Sequence, residues 1–316
     1  MKMFTHYLKT NNPIPKKALI VSDTHIFNEK DCEILDSVLN EVENKQYDYV
    51  FLVGDLIDST NVFYDVYKMS WLPKYYEFYK TLGQIAPTFI VYGSHDFGYL
   101  KDGIWLDDKV TFYDRFVNKV SGYTGIKVLE NETYDLGDGY TVSGYNPTSV
   151  WGYNPNRNYT IPEEKRALIT KELAFLHKLD PNKFNILMCH YPNIFLDIAE
   201  DEIFKSVDLG VAGHTHNGVT QFRIFPLESV LNFLHQNNRG LITAEKSIKP
   251  EDTKYLRGRI ELNNRASLIV NPAAKTLAAC TGTLEKFDAL FYKGATELTM
   301  SNIEQSDNLK KVRRLK

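Results

Sequence analysis

The sequence predicts an α/β fold built on a largely parallel sheet. Two observations carry this expectation: short, continuous apolar runs recur along the chain, and helix-period stretches separate the first three of them. Ala18 to Val21 is apolar throughout, the pattern of a strand buried on both faces. Beyond it, Ile34, Val38 and Val42 share one stripe with Leu35 and Leu39 beside it, which predicts a helix. Tyr49 to Val53 reads as a second buried strand, a Tyr-rich stretch over about 62–82 as a second helix, and Thr88 to Tyr92 as a third strand. A βαβαβ order of this kind favours parallel pairing.

Farther along, residues 97–125 mix aromatics with many charges and read as a helical insertion. Residues 126–145 read as short strands joined at Gly137-Asp138-Gly139. An Asn/Pro/Tyr-rich loop follows at 145–162, in which Gly-Tyr-Asn-Pro occurs twice, a local duplication and not a repeat array. A helix is expected over 163–179, strands over 184–189, 207–212 and 266–270, and a short helix over 227–236. The expected organisation is a single domain over 1–304 with insertions at about 97–125 and 145–162. The basic tail 305–316, with five positive charges in its last eight residues, is expected to be flexible.

At 316 residues, 43% hydrophobic and 24% charged, the composition is that of a globular chain and excludes general disorder. The formal charge of −3 supplies no global field for gripping nucleic acid, so nucleic acid is a disfavoured partner. Cys32, Cys189 and Cys280 lie far apart without a C-x-x-C, which excludes a disulfide framework and suits a reducing, cytoplasmic setting. The first residues lack the apolar core of a signal peptide, and no run is long enough to predict a membrane span.

The apolar runs share their punctuation. They run into Ser22-Asp23-Thr24-His25, Gly54-Asp55-Leu56-Ile57-Asp58, Gly93-Ser94-His95-Asp96, His190-Tyr191-Pro192 and Gly213-His214-Thr215-His216. Ligands of open α/β sheets bind at the carboxyl ends of the strands, so five segments deliver Asp and His to one edge. Asp23/His25 and His214/His216 are i, i+2 pairs, which extended backbone would point to one side. Imidazoles mixed with carboxylates suit Mn, Fe, Ni or Zn. Six such residues (Asp23, His25, Asp55, His190, His214 and His216) are too many for one ion and suit two ions sharing a carboxylate, about 3.5–4 Å apart. Each motif alone is weak; five in order, each just after a buried run, are strong. A serine hydrolase, a P-loop NTPase and a dinucleotide site are disfavoured, because G-x-S-x-G, G-x-x-x-x-G-K-[ST] and G-x-G-x-x-G are all missing.

The series D-x-H, G-D-x-x-D, G-x-H-D, H-x-P and G-H-x-H, spanning residues 19–216, resembles the calcineurin-like metallophosphoesterase family. The resemblance implies a sandwich of two mixed β-sheets flanked by helices, in four layers α/β/β/α. It implies that Asp23, His25 and His216 hold one ion, that Asp55 bridges, and that His190 and His214 hold the other. His95 would face the scissile phosphate with Asp96 orienting its ring, and Asp58 would support the ligands from behind. The implied reaction is hydrolysis of a phosphomonoester or phosphodiester by a hydroxide bridging two divalent ions, manganese first among them. One position departs: Ser94 stands where the family carries a metal-ligating Asn, and its shorter side chain is expected to hold the second ion more weakly. That departure motivates an alternative, a catalytically weakened metal-binding scaffold; a nuclease is the lesser choice among enzymes. Trp151, Tyr153 and Arg157, in the loop at 145–162, are candidate substrate contacts through stacking and phosphate pairing.

Overall fold

The computed structural model describes residues 3–57, 69–97, 100–101, 104–105, 112–146, 163–214, 258–263, 265–274, 294–302 and 313–314. In chain order the elements begin β1 (Met3–Lys9), β2 (Lys16–Val21), α1 (Cys32–Lys45), β3 (Tyr49–Val53), α2 (Leu72–Ile85) and β4 (Thr88–Val91). The short pieces α3 (Ser94–Phe97), β5 (Leu100–Lys101) and β6 (Ile104–Trp105) precede α4 (Phe112–Val120), β7 (Ile126–Val128), β8 (Glu132–Gly137) and β9 (Tyr140–Gly144). Next come α5 (Glu163–Glu172), continued by a 3-10 turn over Leu173–Lys178, then β10 (Phe184–Met188), α6 (Pro192–Ile198) and β11 (Leu209–Ala212). The series closes with β12 (Gly258–Glu261), β13 (Ser267–Val270), β14 (Ala295–Ser301) and β15 (Arg313–Arg314).

Two sheets form. One has six strands in the order β1-β14-β2-β3-β4-β7, the other seven in the order β15-β12-β13-β11-β10-β9-β8. Both are mixed. β2, β3, β4 and β7 run parallel while β14 lies antiparallel to β2, and β9, β10, β11 and β13 run parallel between antiparallel β8 and β12.

The layering follows from the period-2 alternation of strand side chains. In β2, Leu19 and Val21 pack with α1 and α2, whereas Ala18 and Ile20 join a core shared by both sheets. In β3, Val50 and Leu52 face the helices while Tyr49, Phe51 and Val53 face the opposite sheet. The second sheet mirrors this: Leu187 and Leu268 pack with α5 and α6, and Ile186, Met188, Leu209, Val211 and Ile269 point into the shared core. The result is the four-layer α/β/β/α sandwich, with strands apolar on both faces because both faces are covered.

Proline places two helix starts. Pro73 opens α2 and Pro192 opens α6, positions where the missing N–H is not needed. α2 stops where Ala86, preceding Pro87, is forced to extended backbone (φ −149°, ψ 142°).

Strands β1, β12 and β14 were not expected from the sequence, nor were β5 and β6 in the stretch read as a helical insertion or β15 in the basic tail. β1 alternates intermediate and buried positions, placing Phe4, His6 and Leu8 inward, and extends the six-stranded sheet through parallel pairing with β14. In the basic tail, Arg313–Arg314 pair with Ile260–Glu261 of β12. The expected helix at 227–236 lies outside the described residues. Among the described residues, no helix is long and apolar enough to cross a membrane.

Candidate metal centre

The parallel strands of both sheets end at one rim, and the motif residues sit on the first turns beyond them. There the backbone departs from the expectation of extended i, i+2 pairs. Asp23 (φ 55°), His25 (φ 40°), Asp55 (φ 50°) and His214 (φ 70°) all occupy the left-handed region. Asp and His tolerate that region better than β-branched residues, yet each non-glycine placement is costly. Among the described residues, four of the eight non-glycine positive-φ residues lie on one rim and mark a site where packing over-determines the backbone. Side chains are thereby aimed by turn geometry and not by strand alternation.

Among the described residues, two groups of three potential ligand atoms result. His25, Asp55 and His95 form one, and Asp55, His190 and His214 form the other, with all atoms in each group within 4.8 Å of one another. Asp55 belongs to both. His190 Nε2 lies 3.1 Å from Asp55 Oδ2, and His25 Nε2 lies 3.7 Å from the same oxygen. Asp23 sits beside them, its carboxylate 4.0 Å from His190 Nε2 and accepting the His214 N–H at 3.1 and 3.2 Å. The rings of His25 and His95 meet edge-on at 4.6 Å, and Tyr191 packs on His214 at 4.9 Å. Asp23, His25, Asp55 and His190 are buried, whereas His95 and His214 are partly exposed, so the group opens to solvent over those two rings.

His190 has a defined tautomer. Its Nδ1 lies 2.7 Å from the Val53 carbonyl oxygen, which can only accept, so Nδ1 donates there, and Nε2, 3.1 Å from the Asp55 carboxylate, carries the proton that titrates. Burial alone would lower the His190 pKa; the negative charge and hydrogen bond of Asp55 outweigh it and push it up to about 9. Conversely, burial opposes ionisation of Asp55, but the facing charges of His190 and His95 hold its carboxyl well below the usual range.

Asp96 holds loops together. Its Oδ1 accepts the N–H groups of Leu56 at 2.8 Å and Ile57 at 3.1 Å, and its Oδ2 that of Gly93 at 2.8 Å. Burial, followed by the charge of Asp55, raises its pKa to about 7 against these donors. The His95 N–H in turn reaches Asp55 Oδ1 at 2.8 Å. The turn carrying His95 is thus fastened to the loop carrying Asp55 from both sides.

Two glycines complete the packing. A Cβ on Gly54, which has φ +76°, would stand 2.6 Å from both Gly93 N and His190 Nδ1; one on Gly93 would stand 2.6 Å from the His190 ring and collide with the Asp55 carboxylate. Their requirement for closeness was hidden in sequence, where Gly-Asp after a strand reads as an ordinary turn.

The donor set fits divalent metal ions: mixed imidazole and carboxylate, largely buried, with one carboxylate common to both groups. Of the residues expected at the site, the structure brings together Asp23, His25, Asp55, His95, Asp96, His190 and His214. Asp58, His216, Trp151, Tyr153, Arg157 and the Ser94 side chain lie outside the described residues.

Residues 16–218 match the calcineurin-like phosphoesterase family. The chain belongs to that family. Among curated proteins it is 25% identical over 226 residues to an uncharacterized metallophosphoesterase of Helicobacter pylori (strain ATCC 700392 / 26695), covering 71% of this chain and 50% of that protein. To an uncharacterized metallophosphoesterase of Aquifex aeolicus it is 24% identical over 228 residues, 71% of each chain. The calcineurin-like chain therefore spans about half the length of its Helicobacter relative. A dimetal phosphatase from Danio rerio aligns over 82% of this chain and 87% of its own, at 11% identity and TM-score 0.40.

Proposed function

We propose that this chain is a metal-dependent phosphoesterase acting through a binuclear centre, with Asp55 shared between the two ions. The observation that carries the reading is the pair of ligand groups meeting at Asp55. His25, Asp55, Asp23 and the undescribed His216 would hold one ion; Asp55, His190 and His214 the other. Two divalent cations there would supply Lewis acidity toward water and the phosphoryl oxygens, manganese being the first candidate and iron, zinc or nickel the others. The Val53 carbonyl keeps His190 in the tautomer that presents Nε2, and Asp96 keeps the Asp55 and His95 loops at one separation.

His95 stands at the solvent-facing side of the centre, its backbone fixed on Asp55. Its imidazole stabilises charge on a non-bridging phosphoryl oxygen and donates a proton from a ring nitrogen to the leaving oxygen as the P–O bond breaks. Water supplies the oxygen that joins phosphorus, so no covalent enzyme intermediate is required. Asp58 would support the ligands, and Trp151, Tyr153 and Arg157 would line the approach of the ester.

Hydrolysis of bis-p-nitrophenyl phosphate and of p-nitrophenyl phosphate with added Mn²⁺, alongside metal analysis of the purified chain, tests the reading. Two ions per chain and Mn²⁺-dependent release of nitrophenol are expected. Two ions bound with neither ester cleaved at any pH supports instead the scaffold reading that Ser94 motivates; no ions bound overturns both.

A further inference from the structure

We propose that Asn146 and Asn271 are positioning residues that set the lateral register of the two sheets, and so the spacing of the metal ligands each sheet delivers; this rests on the binuclear reading above. The two sheets meet through the apolar layer of Ile20, Phe51, Val53, Val142, Ile186, Met188, Val211 and Ile269. Such a layer fixes how far apart the sheets lie, but hydrophobic attraction is non-directional and does not by itself fix where one sheet sits along the other. Ligands drawn from both sheets must nonetheless agree to within about 0.5 Å.

At the rim, directional bonds cross from sheet to sheet strand by strand. After β10, His190 Nδ1 donates to Val53 O at the end of β3. After β11, the His214 N–H donates to Asp23, just past β2. These two crossings are made by the candidate ligands themselves. Asparagines make the crossings on either side. After β9, Asn146 Nδ2 donates to Leu129 O past β7 at 2.7 Å, and Asn146 Oδ1 accepts the Tyr92 N–H past β4 at 3.4 Å. After β13, Asn271 Nδ2 donates to Ser22 Oγ past β2 at 2.9 Å, and Asn271 Oδ1 accepts from Thr296 Oγ1 on β14 at 2.9 Å. The crossings follow the strand order of both sheets, so the metal centre sits between two amide clasps.

Both amides are buried, as are Ser22 and Thr296. A buried amide in an apolar sandwich adds little stability over a well-packed apolar residue; what it adds is a geometry that satisfies donor and acceptor in only one register. The chain beyond Asn271 is pinned to the same place. Ala273 adopts φ +68°, the Ala274 N–H donates to Ser22 O at 2.9 Å, and the Gly294 N–H donates to Ala273 O at 2.8 Å. An alanine held in left-handed backbone marks a position the surroundings over-determine. Asn271 and Thr296 lie outside the residues matched to the family.

The test is calorimetric titration of the metal-free full chain with Mn²⁺, together with its thermal melt. Thr296→Val keeps the shape and removes the donor to Asn271; Thr296→Ser keeps the donor. Thr296→Val and Asn146→Ala are each expected to weaken Mn²⁺ binding about tenfold or more, with Thr296→Ser restoring the parental affinity. Asn271→Ala should weaken it further; if that variant does not fold, the Thr296 pair carries the test. Parental Mn²⁺ affinity in Thr296→Val, or equal weakness in Thr296→Val and Thr296→Ser, overturns the proposal while leaving the binuclear reading intact. A parental chain that takes up no Mn²⁺ overturns the binuclear reading, and the role assigned to the clasps with it.

Discussion

His190 Nε2 lies 3.1 Å from Asp55 Oδ2 with both side chains buried, and the proton on the far side of that ring is held by Val53 O. Because Asp55 also belongs to the group containing His25 and His95, its removal acts on both groups at once. Asp55→Asn is expected to abolish ester hydrolysis and uptake of both ions. In the metal-free chain it should also bring the His190 pKa down from about 9, since the burial that opposes protonation is no longer outweighed. Imidazole NMR titration reads the second effect independently of catalysis; a His190 pKa that stays near 9 would show that Asp55 does not set it.

The same pair makes metal uptake proton-coupled. His190 has a raised pKa, so its proton is retained until the pH climbs through about 9. An ion that takes Nε2 must displace that proton, so affinity should rise about tenfold per pH unit below 9 and level off above it. Titration at several pH values, in buffers of different ionisation enthalpy, counts the released protons. Affinity independent of pH between 6 and 8 would contradict the assignment.

His95 is partly exposed and leaves the Asp55–His190–His214 group intact when removed. His95→Gln is expected to lower kcat by about 10²- to 10⁴-fold, with two ions still bound by metal analysis. A kcat within threefold of the parent would exclude proton transfer from this ring.

Gly93 tests the closeness of the packing. In Gly93→Ala the added methyl would meet the His190 ring at 2.6 Å and the Asp55 carboxylate. The expected outcome is a loss of about 1–3 kcal/mol in stability, the cost of overpacking, together with weaker Mn²⁺ binding. Urea denaturation and calorimetry measure the two; parental values in both would mean that the rim can widen without consequence.

Away from the site, Glu297 accepts from Lys17, Tyr47 and Lys45 at 3.2, 3.0 and 3.5 Å. Burial pushes its pKa up, but the bonds and charge of Lys17 and the Tyr47 hydroxyl outweigh that, and the net direction is down. A depressed carboxyl stabilises the fold above its unfolded pKa, and the contribution is lost as pH falls through the folded value. Glu297→Gln should therefore lower the melting temperature at pH 7 and have progressively less effect below about pH 4.5. An unchanged difference between the two proteins at pH 7 and pH 3 would rule the linkage out.

Much of this was legible in the chain. Runs such as Tyr49 to Val53 have one reading, a strand covered on both faces, and β3 has those bounds. The Asp and His residues closing such runs were legible because strand ends share a rim. β1 escaped notice although Phe4, His6 and Leu8 alternate inward: its buried face includes a histidine, and its partner β14 lies almost 300 residues away. The left-handed turns at Asp23, His25 and Asp55 were hidden because Asp and His carry no local mark of positive φ, as glycine does. Asn271 was hidden for a different reason. An asparagine before proline reads as a turn, and only the sandwich brings Ser22 and Thr296 to either side of its amide.

Left-handed backbone at Asp23, His25, Asp55 and His214 has a kinetic corollary. Among the described ligands the arrangement is completed when the chain folds, so an ion arriving at Asp55, His190 and His214 would meet side chains already gathered. Loading and stripping then become exchange reactions on a standing frame. A chelator should empty the centre without unfolding the chain, and ions of different size should compete for it on hydration and ligand chemistry alone.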